Sequence, residues 1–114
     1  MTEVYPNQET VDAVFGILAH HRRRCALRTL QAYENPMALA DLADEVAVQE
    51  KDTPITEISP EEVQQVYLDL YHTHIPKLED EQFVHYDQEQ DYVSLSERSE
   101  YLEQYQDLLT IDSQ

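Results

Sequence analysis

Apolar positions recur at three- and four-residue intervals along most of this chain, which predicts a succession of helices. Val11, Val14, Phe15 and Leu18 give one apolar face to a first helix over 11–19, with Thr10 placed to cap it. A second helix runs from about His20 to Tyr33, with Ala26, Leu27, Leu30 and Tyr33 as its main stripe. Cys25, Thr29 and Ala32 form a second face of small residues, so this helix is expected to pack between neighbours. It stops at "ENP", because Pro36 disfavours helical backbone at Asn35.

A third helix, about 40–49, carries Leu39, Leu42, Ala43 and Val46 at i, i+3, i+4 and i+7. "KDTPITEI" reads as a loop. Ser59 then caps a fourth helix, with Pro60 at its first position and Glu62 at its third, the S-x-x-E pattern of a capping box. Val63, Val66, Tyr67, Leu70, His74 and Leu78 share its inner side towards Glu81, and Pro76 is expected to kink or divide it. The period then changes to two. "QFVHYD" and "YVSLS" flank "DQEQD", which predicts a β-hairpin. A last helix over about 98–109 carries Tyr101, Leu102, Tyr105, Leu108 and Leu109 on one side.

The expected fold is therefore mainly α with a small β-hairpin, a winged helix-turn-helix plus a C-terminal helix. Residues 1–9 read as a tail, 10–96 as the winged helix-turn-helix, 97–110 as a C-terminal helix able to dimerise, and 111–114 as a tail.

Charge changes the picture of where such a protein works. Twenty-four acidic residues stand against 7 basic ones, a net charge of −17, and 41% of the chain is apolar. Self-repulsion of that size is costly in dilute buffer but is screened in strong salt, where the Debye length falls to about 3 Å at 1 M. The balance points to a salt-filled cytoplasm. One cysteine, Cys25, excludes an internal disulfide framework. No stretch approaches the roughly 18 apolar residues of a membrane span, and "MTEVYPNQE" lacks the features of a signal peptide, so a cytoplasmic protein is expected.

Leu39-x-x-Leu42-Ala43-x-x-Val46, the Ser59-capped helix and "IPKLEDEQFVHYD" together resemble a haloarchaeal winged-helix domain family of unknown function. An Arg-rich start to the second helix, here "HHRRRCALRTL", and a Y-x-x-L-x-H-x-H-x-P-K-L core, here Tyr67 to Leu78, are similar to that family's. The likeness spans roughly residues 10–96. It implies a protein like a transcription regulator and names no ligand or target. The loop between the third and fourth helices is longer than the tight turn usual in such domains.

On the fourth helix, Gln64, Gln65, Leu68, Asp69 and His72 lie away from the core stripe. Gln pairs with adenine, an apolar side chain meets a thymine methyl, and His72 can donate to a guanine or a phosphate. Gln64, Gln65, Leu68 and His72 are thus the candidate base readers. Glu61, Glu62 and Asp69 would repel phosphates; an acidic solvated face is the other reading. "HHRRR" at 20–24 is the only basic cluster, and it sits at a helix start, where positive charge is disfavoured. Arg22, Arg24 and Arg28 are candidate phosphate contacts; pairing with the chain's own carboxylates is the alternative. Arg23 leans towards the core. The hairpin tip "HYDQEQDY" has no Arg or Lys, unlike a tip that grips a minor groove.

Tyr101, Leu102, Tyr105, Leu108 and Leu109 are the candidate dimer interface, since a reader of palindromic sites needs two-fold symmetry. His72 and His74, two apart on a helix, point away from each other, and one Cys makes no zinc knuckle, so no metal and no other cofactor is expected. His74 reads as a core histidine and Cys25 as a packing residue. Gly-x-Ser-x-Gly, Walker and HExxH patterns are absent, so no enzyme is expected. The function expected is a small halophilic DNA-binding transcriptional regulator, a homodimer on double-stranded DNA. The alternative is a winged-helix protein–protein adaptor or DNA mimic.

Overall fold

Leu39, Leu42, Ala43, Val46 and Ala47 all face inward from α3 (Leu39–Lys51), and the rest of the fold is arranged around that stripe. A computed structural model describes residues 8–111. The expected tails at 1–7 and 112–114 fall outside them. Ahead of α3 come α1 (Gln8–Leu18), α2 (His21–Ala32) and a two-residue strand β1 (Met37–Ala38). After it come α4 (Pro60–Asp69), a π-helical turn (Leu70–His74), α5 (Ile75–Asp80), β2 (Val84–Asp87) and β3 (Tyr92–Leu95). A 3₁₀ helix (Glu97–Tyr105) and a single turn, α6 (Gln106–Leu109), close the described chain. The architecture is mainly helical with a small antiparallel sheet of order β1-β3-β2.

The helices form where the periodicity places them, with shifts that have physical causes. α1 already includes Gln8, so Thr10 lies inside the helix, not at its cap. It buries Val14, Ile17 and Leu18 and leaves Phe15 47% exposed, so the inward stripe is rotated from the expected one. α2 buries Cys25, Ala26, Leu27, Thr29 and Leu30, the two-sided burial expected of a central helix. Tyr33 and Ala32 are exposed instead; Tyr33 ends the helix, and its hydroxyl donates to Glu45 Oε2 at 3.0 Å.

Ser59 caps α4 as its sequence indicates, its Oγ accepting from the Glu62 N–H at 3.2 Å. Such a cap is worth about 1 kcal/mol. Glu62 does not complete the reciprocal box; its Oε2 pairs with Lys51 Nζ at 3.0 Å. Pro76 causes no break. The chain widens into the π turn just before it, and the Ile75 N–H reaches back to the Leu70 carbonyl. The wider turn absorbs the bond that Pro76 cannot make, so helical backbone continues from Pro60 to Asp80.

β2 and β3 form the expected hairpin, with Val84 opposite Leu95 and Tyr86 opposite Val93. Asp87 Oδ1 accepts the Glu89 and Gln90 N–H groups at 3.0 and 3.2 Å, and Asp91 takes a left-handed φ of 60°. An Asp side chain folding back on the amide two residues on is a favoured turn closure. β1, absent from the expected pattern, adds a third strand beside β3, pairing Met37 with Val93. The C-terminal segment differs most: it is largely 3₁₀, and Leu102 and Leu109 are fully buried in this chain's own core. The C-terminal segment therefore completes the core of the domain rather than standing outside it.

Candidate nucleic-acid interface

The face expected to read bases is assembled as a surface. Gln64, Gln65, Leu68 and His72 are all exposed on α4 and the π turn, and Leu68 is 40% exposed despite being apolar. The two glutamine amides make no hydrogen bond among the described residues, so all their donors and acceptors face solvent. His72 lies edge-on to Tyr71, ring centroids 4.9 Å apart. Asp69, on the same side in sequence terms, is turned into the body of the fold.

Asp69 is held there by Arg22. Arg22 Nη1 donates to Asp69 Oδ2 at 2.8 Å. Its Nε and Nη2 form a fork on Glu50 of α3, at 2.7 and 2.6 Å. One guanidinium thus ties α2, α3 and α4 together, and its planar fork suits two carboxylates at once. The hydrogen bonding of Arg22 to Glu50 leads the effects that raise the Arg22 pKa.

The π turn brings His74 to the same carboxylate. His74 is 2% exposed, and its Nε2 lies 2.8 Å from Asp69 Oδ2. Its Nδ1 lies 3.3 Å from Arg23 Nη1. A guanidinium only donates, so Nδ1 is the acceptor and Nε2 carries the proton: a neutral imidazole. Burial lowers the His74 pKa most; Asp69 opposes that, and His20 and Arg23 add to it. The His20 ring leans on His74 at 4.3 Å between centroids, and its pKa is also lowered, by burial first and then by Arg23. Asp69 is pushed up by burial, yet the Arg22 hydrogen bond and charge, with the hydrogen bond from His74, hold it below the usual carboxylate range.

The remaining arginines serve as internal ties. Arg23 donates to the Ile17 and Gly16 carbonyls, each at 3.0 Å, and Arg24 Nη1 to the Leu18 carbonyl at 2.6 Å. These are orphan carbonyls at the end of α1, so the cluster at the start of α2 answers the negative end of the helix before it. Arg28 Nη1 donates to the Leu109 carbonyl at 2.9 Å, and its Nη2 to Gln49 Oε1 and Cys25 Sγ, each at 3.0 Å. Arg98 sits over the Phe83 ring, 5.3 Å from its centroid. Arg22, Arg24 and Arg28, the expected phosphate contacts, are thus all engaged within the chain, as Arg23 is. Their long side chains could reach either destination, and sequence alone does not choose.

The hairpin is docked against α3 and α4. Asp91 accepts from the hydroxyls of Tyr67 on α4 and Tyr86 on β2, while its backbone carbonyl accepts the Leu39 N–H at 2.8 Å. The hydrogen bond to Asp91 pushes the Tyr67 pKa up to about 12. No sequence motif marked Asp91; its left-handed backbone and acceptor role emerge only in the folded hairpin. Its tip presents Asp87 and Glu89 and no cation.

Of the expected dimer residues, Leu102 and Leu109 face this chain's own core and are closed to a partner. Tyr101 and Tyr105 are half-buried against the same core. Leu108 is 38% exposed, and Phe15 meets Tyr105 edge-on at 5.3 Å. Phe15 lay outside the expected set; the sequence put it on the inner face of α1.

Among the described residues, no group of three or more His, Cys, Asp and Glu could hold a metal ion. No helix among them is long and apolar enough to cross a membrane. The chain has no match among curated proteins and none among solved structures. Residues 15–94, which span α2 to β3 and the whole α4 face, match one family, and the chain belongs to it: the domain of unknown function DUF7344.

Proposed function

We propose that this protein is a winged-helix DNA-binding regulator whose α4 reads base edges through Gln64, Gln65, Leu68 and His72. The observation that carries the reading is that face: neutral, exposed side chains on the second helix of a pair, beside a docked hairpin. The element order supports it. From α2 onward the chain runs helix, strand, helix, helix, strand, strand, with the first strand beside the last, an order that supports the winged-helix reading.

Arg22 acts here as a strut that sets α4 on α3, not as a phosphate contact. Binding then rests on base contacts and shape more than on a positive field, which suits a salt-loaded cytoplasm where phosphate attraction is weak. Two copies acting together supply the rest. The patch of Phe15, Tyr105 and Leu108 is the surface for a second copy, replacing the expected face that included Leu102 and Leu109. The test is selection of random DNA duplexes by the full chain in about 1 M KCl, where long-range attraction is screened. A shared, roughly palindromic site is the expected result; recovery of no common sequence overturns base reading.

A second reading has its own observation. All five arginines are engaged within the fold and Lys51 is paired with Glu62, leaving Lys77 exposed on α5. Together with the acidic hairpin tip, this favours a protein–protein adaptor built on the same scaffold. Cross-linking in the native cell that captures a protein and no DNA would select it.

A further inference from the structure

A groove of about 530 Å³ runs between α3 and α4, on the side where the 52–59 loop crosses. Ala43, Ile55, Ile58, Val63 and Tyr67 make it largely apolar, and Asp44 stands among them. Ile55 is 40% exposed, a large apolar side chain that this long loop leaves in water over the groove. That volume takes a few aliphatic side chains, within the usual range of binding clefts.

The charge around it has one sign. No Lys or Arg lines the groove. Asp44 is half-buried, with Asp41 and Glu45 near it on α3, while Glu57 and Glu61 flank Ile55 and Pro60 in sequence. Burial raises the Asp44 pKa most, and repulsion from Asp41 and Glu45 adds to it. No described cation pairs with Asp44, whereas Glu50 and Asp69 share Arg22 and Glu62 takes Lys51. A carboxylate in that position gains from an incoming positive charge, and the apolar walls gain from an incoming aliphatic group.

We propose that the α3–α4 groove docks a segment of a partner protein carrying aliphatic residues with Arg or Lys beside them. The aliphatic side chains fill the space under Ile55, and the cation meets Asp44 at its edge. This is an anchor-in-groove mode of peptide recognition. It stands whether or not α4 reads DNA: of the four candidate base readers, only Gln64 lines the groove.

The test is a titration of the isotope-labelled full chain with an amphipathic peptide of alternating Leu-Leu and Lys-Arg pairs, followed by amide NMR. A control peptide carries Glu in place of each Lys and Arg. About 1 M KCl removes general attraction to the acidic surface, so desolvated contacts are what survive. Shifts concentrated at Ala43, Asp44, Ile55 and Val63, absent with the control, are expected. Asp44→Asn should weaken the interaction at least about fivefold and Ile55→Ser about tenfold. Both residues are at least partly exposed, and the amide spectrum of each free variant shows whether it is folded. No shifts, shifts scattered over the hairpin and the C-terminal segment, or binding unchanged in both folded variants would overturn the proposal.

Discussion

Arg22 and Asp69 lie 47 residues apart in sequence, and their Nη1–Oδ2 contact at 2.8 Å fixes the C-terminal end of α4. Because the same guanidinium grips Glu50, one side chain links this end of α4 to α3, while Lys51 and Glu62 pair nearer its start. Arg22→Ala leaves Glu50 and Asp69 without that cation. The pair is partly exposed, so the loss is set at about 1–3 kcal/mol rather than the larger cost of a fully buried pair. Denaturant unfolding of the two proteins measures it. Arg22→Lys should recover less than half, because an ammonium cannot reproduce the fork.

His74 gives the fold a pH dependence of known sign. Its folded pKa lies below the unfolded value of about 6.5, with burial the leading cause. The unfolded chain therefore binds the proton first as pH falls. Stability from this group is full above the unfolded pKa and is lost as pH falls from there towards the folded pKa. His74→Gln keeps a donor for Asp69 and an acceptor for Arg23. Melting temperatures across pH 5–8 should fall on the acid side for the native chain and fall less for the variant. His20, whose pKa is lowered by burial first, retains part of the slope.

Gly16 is the only glycine of the chain, and it lies in the helical body of α1. A Cβ built there meets nothing within 4 Å. Gly16→Ala should therefore stabilise the protein by about 1 kcal/mol, from helix propensity alone. Unchanged or lower stability would mean that α1 is not helical at this point.

Leu108, three residues after Tyr105 of the Phe15–Tyr105 contact, is the most exposed leucine of the C-terminal apolar set. Leu108→Glu should shift the proposed dimer to monomer in sedimentation velocity without altering the melting temperature of the monomer. A variant that sediments as the native chain does would remove this patch from the interface.

Much of the fold was legible because it rests on local rules. The i, i+3, i+4, i+7 stripe of α3, the Ser59 cap and the alternation of β2 and β3 each follow from a few adjacent residues. What was illegible depends on distant partners. β1 is two residues long, too short for a pattern, and exists because β3 offers it an edge. The π turn exists where Pro76 removes a bond and where His74 finds Asp69 and Arg23. The C-terminal stripe was visible, but whether Leu102 and Leu109 pack within the chain or across a dimer is a tertiary matter. The candidate reading face was legible as exposed helix surface; pairing of Arg22, Arg24 and Arg28 within the chain was legible only as an alternative, and the Leu18 and Leu109 carbonyls as partners were not.

If α4 reads DNA as proposed, its sites in the cell require Gln64 and Gln65. The most direct measurement is genome-wide immunoprecipitation with sequencing, of the native chain and of a Gln64→Ala, Gln65→Ala double variant, from the cell that makes the protein. Both glutamines are exposed and make no bond within the described fold, so the variant should fold unchanged. Sharp peaks with a shared, roughly palindromic site are expected for the native chain, and loss of those peaks for the variant. Equal enrichment of the two, or none for either, would contradict base reading by α4.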